Sequence, residues 1–166
     1  MMDTPESLQT IAEISIAFAG FTGLIVALRK NDGPMTAVHK YRLQILLTLA
    51  FGAMFLSLLP DLLGNYGFPP EHIWPLSSAV LSVYSVVFLY WWITSSRRIM
   101  QSYPALFNWF AFSRMAAGHV LVVLLQLTVV FSLIRDIGAA AYISALIWYL
   151  LHAAQQFARM LFIQPE

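Results

Sequence analysis

Hydrophobic and polar positions alternate along this chain on the scale of whole segments. Five apolar runs, residues 11–28, 43–63, 73–94, 115–134 and 137–163, are separated by short polar or proline-containing stretches. Each run is about 18 residues or longer, which crosses a hydrocarbon core of about 30 Å at about 1.5 Å per residue. In lipid a spanning segment must satisfy its own backbone polar groups, so the runs are predicted to be α-helices.

The breaks between the runs carry helix-end chemistry. Thr4 suits an N-cap, with Pro5 at the first helical position and Glu6 at the positive end of the dipole. Asn31, Asp32, Gly33 and Pro34 stop the first helix. Pro60 and the stretch from Gly64 through Pro69 and Pro70 end the second. Pro75 sits near the start of the third, and Pro104 breaks the link to the fourth. Arg135-Asp136 makes a very short turn, so the last two helices are predicted to be adjacent and antiparallel. Residues 105–112 are aromatic and too short to cross. They predict an interfacial helix on the cytoplasmic face, or the first turns of the fourth helix.

Composition agrees with the pattern. Of 166 residues, 60% are hydrophobic and 10% charged, against about 25% charged in soluble domains. Mean hydropathy is +0.73. The prediction is an all-α integral membrane protein, with residues 1–166 forming one membrane domain of five transmembrane helices in a bundle. The chain has no cysteine, which excludes disulfides and thiolate-held metal centres.

Charge sets the expected orientation. Arg29, Lys30, Lys40, Arg42, Arg97, Arg98, Arg114 and Arg159 all fall on one side of a five-span layout, and only Arg135 on the other. The positive-inside rule then places the N-terminus outside and the C-terminus in the cytoplasm. The expected setting is the inner (cytoplasmic) membrane of a bacterium. The acidic flank Asp3 and Glu6 speaks against a signal peptide, whose leading region is basic.

Four constellations carry candidate function. In the opening run, EISIAFAGFTGLIVALRK, Ser15, Ala19, Gly23 and Ala27 recur every four residues and line one side of the helix. Such small-residue stripes admit a close helix neighbour, in this bundle or another chain. Glu13 and Asp61 lie toward the outer interface, where carboxylates either reach water or form a cation vestibule. On the last run, His152, Gln155, Gln156 and Arg159 sit at i, i+3, i+4 and i+7, extended by Trp148 and Ser144. This polar face predicts a pore lining or a subunit contact, because ionisable groups in lipid turn toward protein or a cavity. His119 and His152 lie at matched depth, each roughly 8–10 Å inside the basic boundary. Such a pair makes an interhelical hydrogen bond, relays a proton, or ligates one b-type haem. Serines 78, 82 and 85 share a face of the third run, where bonding to the preceding helical turn explains them without function.

No phosphate-binding glycine loop, HExxH or GxSxG motif is present, and no basic region stands apart from the spans. Neither enzyme chemistry nor nucleic-acid binding is expected, and no catalytic or metal-ligating set emerges. The sequence therefore points to a small multi-span protein acting as an oligomeric pore or membrane-permeabilising component. The alternatives are a non-catalytic subunit of a larger membrane complex and a haem-bearing redox subunit. Its expected partners are the lipid bilayer and either further copies of itself or other membrane subunits.

Overall fold

The computed structural model describes residues 4–28, 35–104, 108–133 and 136–162. Among these the regular structure is helical, in the order α1 (Thr4–Leu28), α2 (Ala37–Asn65), α3 (Pro70–Ser102), α4 (Trp109–Val130) and α5 (Gly138–Phe162). Arg29, Lys30, the stop at 31–34, residues 105–107 and Arg135 lie outside the described residues.

The helices outrun the apolar segments that predict them. Thr36 caps α2 by accepting from the His39 amide at 3.3 Å, seven residues before the apolar run begins. α3 continues two turns past Thr94 to Ser102. Hydropathy marks what lipid covers, whereas backbone bonding carries the helix on into the interface. α4 also starts early, so that residues 109–112 form its first turn, but it ends short of its run. Asn108 caps it by accepting from Ala111 at 3.0 Å, and the helix stops at Val130. Ser132 and Asp136 then take φ of 52° and 65°, the left-handed region that turns the chain.

Four of the helices are long and apolar enough to cross a membrane, namely Thr4–Ala27, Ala37–Asn65, Pro70–Ser102 and Trp109–Val130. The structure thus has the form of an integral membrane protein. α5 is as long as α1 but carries the polar stripe. It touches all four of the other helices, packing chiefly on α2. Its outer face keeps exposed apolar residues, Ile147, Leu151 and Leu161, while the polar stripe turns toward the other helices. Ala145 and Ala153 on α5 and Leu46 and Leu49 on α2 are fully buried in the resulting core. α4 does meet α5, as the short turn predicts, but its larger contact is with α3.

One bond staples the two central helices. Pro60 interrupts α2 and has no N–H, so the Leu56 carbonyl one turn earlier lacks its helical donor. Fully buried Tyr142 of α5 donates to that carbonyl at 2.8 Å. Replacing Tyr142 by phenylalanine leaves the carbonyl unsatisfied and is expected to cost about 1–3 kcal/mol. In a Pro60→Ala background the restored N–H shrinks the loss. Thermal unfolding of the four variants in detergent checks this, and an unchanged Tyr142→Phe midpoint would remove the staple's role.

Candidate functional site

The polar face of α5 turns inward. Tyr149, His152 and Gln156 follow at helical spacing, and all are buried. His119 reaches them from α4, on the face that also carries Val122 and Gln126. Gly118 permits the approach. A Cβ there would fall within the indole ring of Trp148 on α5.

His119 Nε2 lies 2.9 Å from His152 Nδ1, and the Gln156 side-chain nitrogen 3.1 Å from His152 Nε2. An amide nitrogen only donates. With Gln156 donating to Nε2, His152 carries its proton on Nδ1 and donates to His119 Nε2. His119 then carries its own proton on Nδ1, an atom buried without a hydrogen-bond partner. The three side chains form an oriented row that ends in an unsatisfied donor.

Aromatic rings from α3 close the pair on one side. Phe88 lies 5.0 Å from the His119 ring and Trp92 5.1 Å from that of His152, centroid to centroid. Tyr149 lies 5.7 Å from His119. Its hydroxyl bonds the Ser85 hydroxyl, and Ser85 also donates to the Leu81 carbonyl at 2.8 Å. Farther along the buried face of α3, the hydroxyls of Ser82, Ser78 and Ser77 have no hydrogen-bond partner. On α4, Gln126 donates to the Ala141 carbonyl at 2.9 Å, and its Oε1 is left over. Buried polar atoms without partners are rare and costly in proteins. Here they lie on the buried faces of α3 and α4.

In the other direction the row opens at the basic end. A recess of about 580 Å³, including its open mouth, is lined by Gln155, Gln156 and Arg159 of α5 and by Tyr41 and Arg42 of α2. Arg42 donates to the Arg159 carbonyl at 2.9 Å, supplying a partner for one of the last carbonyls of α5.

No protein family, curated protein or solved structure matches this chain.

The residues singled out from sequence are distributed as follows. His119, His152, Gln155, Gln156 and Arg159 come together, the first two in direct contact. Glu13 and Asp61 are exposed and meet none of them. Glu13 accepts from Gln9 at 3.0 Å, and Asp61 borders a different recess with Pro60 and Trp74. On α1, Ser15 is buried and donates to the Ile11 carbonyl at 2.7 Å. Ala19 is half-buried, while Gly23 and Ala27 are exposed. Ser144 is exposed as well, and Trp148 is half-buried against Gly118.

Sequence reasoning missed Tyr149, Phe88, Trp92 and Arg42 as parts of the site. Tyr149 stands one turn before His152 and was visible as a stripe member. The others come from helices whose neighbours periodicity does not reveal. Among the described residues no three His, Asp or Glu side chains cluster as metal ligands. A haem between the histidines would require them to part, since each now addresses the other.

Proposed function

We propose that the protein is a membrane permeation component that relays protons through the interior of its own helix bundle. The row from Gln156 through His152 to the unsatisfied Nδ1 of His119 carries this reading. An imidazole accepts a proton on one nitrogen and releases another from its second. Two such rings in series pass a proton without either leaving its place. Rotating the Gln156 amide presents Oε1 in place of the nitrogen and reverses every donor in the row. That reversal resets the row for the next proton. The hydrogen-bonded pair Tyr149 and Ser85 stands beside the row, and the unpartnered hydroxyls of Ser82, Ser78 and Ser77 follow it on α3, polar groups that water would have to join to the row to lengthen the path. The charge bias supports an orientation with the recess toward the cytoplasm.

The test uses the purified full chain in liposomes holding a pH-sensitive dye, with potassium and valinomycin setting the potential. Proton uptake above that of protein-free vesicles is expected, unchanged when sodium is replaced by choline. Folded protein that adds no flux under either sign of the potential would sink the proposal.

A second reading, a non-catalytic subunit of a larger complex, draws on α1. A Cβ at Gly20 or Gly23 would meet nothing within 4 Å, so this face admits another helix. Co-purification of a second membrane protein that is lost in Gly23→Leu supports it, and a lone chain in native membranes opposes it.

A further inference from the structure

We infer that water enters the bundle past Trp74 and occupies the buried serine face of α3, at the end opposite the arginine-lined recess. A second recess, of about 930 Å³ including its open mouth, lies at that end. Trp74 and Pro75 of α3 line it, with Ser132 and Asp136 from the turn after α4. The Trp74 ring lies 6.0 Å from that of Tyr142, centroid to centroid. A Cβ at Gly138 would come within 2.7 Å of the Trp74 Cβ, so α3 and α5 meet at this point. One turn farther in, Ser77 and Ser78 are fully buried, and Ser82 follows at 7% exposure.

A serine inside a helix can satisfy itself on the carbonyl one turn back. Ser15, Ser85 and Ser96 do so here. The hydroxyls of Ser77, Ser78 and Ser82 do not, and among the described residues no other group serves them. Each can donate one hydrogen bond and accept two. A partner for such groups must be small and must both donate and accept, which is the chemistry of water. Position supplies the continuity. Trp74, Ser78, Ser82 and Ser85 recur at helical spacing along α3, and Ser85 is bonded to Tyr149 beside the histidines. The same helix carries Trp92 to the wall of the basic-end recess. From Trp74 to Trp92 α3 rises about 27 Å, close to the thickness of a hydrocarbon core. As an outlet for protons this face rests on the relay proposed above. As a hydrated face it does not, because hydration is read without flux.

The chain has no cysteine, so one introduced thiol reports on its own surroundings. Ser78→Cys and Ser82→Cys are made singly in the full chain and reconstituted in phosphatidylcholine liposomes. Silver ion, which blocks thiols that water can reach, is applied for increasing times. Thiols left free are counted with maleimide after denaturation. Val83→Cys, at an exposed position on the same turn of α3, is the control for a thiol in lipid. Both serine-site thiols are expected to react about tenfold faster than that control, or more, since thiol reactivity requires access and the thiolate. Trp74→Ala is expected to speed Ser82→Cys several-fold. If Ser78→Cys and Ser82→Cys are folded and as inert as Val83→Cys, the inference is overturned. An unchanged rate in the folded Trp74→Ala background overturns entry at Trp74. Fast thiols in a protein that carries no proton flux uphold the hydrated face and remove only the relay.

Discussion

Replacing His119 with leucine is expected to reduce proton flux about a hundredfold per folded molecule, the scale that a positioned proton-transfer group contributes. Leucine fills the space among Phe88, Trp92 and Tyr149 without either ring nitrogen. The row then stops at His152, whose Nδ1 proton loses its acceptor. Leaving that donor unsatisfied costs about 1–3 kcal/mol of stability, so flux must be normalised to folded protein by size-exclusion and circular dichroism. His119→Gln separates relay from scaffold. An amide at this position restores a hydrogen-bond partner for His152 but does not exchange protons at two ring nitrogens. Stability is expected to recover in that variant while flux stays low. Parental flux from folded His119→Leu would end the relay reading.

Gly118→Ala is expected to destabilise the bundle by about 1–3 kcal/mol, the usual penalty for an overpacked methyl. The added carbon meets the Trp148 ring, and Trp148 stands one turn before His152 on α5. Pushing it away widens the α4–α5 spacing at the histidine pair. Flux therefore falls although both histidines remain. Gly23→Ala is the control, because nothing lies within 4 Å of its added carbon, and a change near zero is expected there. Parallel thermal unfolding of the two variants measures the difference. Equal midpoints would mean that α4 and α5 are not held close by Gly118.

The helical class and the existence of long apolar segments were legible because hydropathy reports what lipid can cover. The inward face of α5 was legible too, since His152, Gln155, Gln156 and Arg159 fall on one side at 3.6-residue spacing. Matched depth alone brought out His119 and His152. The neighbours of each helix were not legible. Lipid-facing and protein-facing positions are both apolar in a membrane bundle, so nothing along α2 says that it packs on α5. Arg42 consequently read as an interface anchor rather than as the group that satisfies an α5 carbonyl. Trp92 read, with Tyr90 and Trp91, as part of an aromatic belt at the membrane interface, but it is buried against His152, and nothing in the pattern singled out Phe88, which borders His119.

The Tyr142 staple bears on how the protein is made. The donor that completes α2 lies 86 residues farther along the chain than the carbonyl it serves. During synthesis α2 enters the bilayer long before α5 leaves the ribosome. Until then Pro60 leaves the Leu56 carbonyl with no helical partner, an unfavourable state in hydrocarbon. Arrival of the last helix relieves it. Membrane integration of this protein thus has a built-in final step, and a chain that stalls before that step displays a polar defect in lipid.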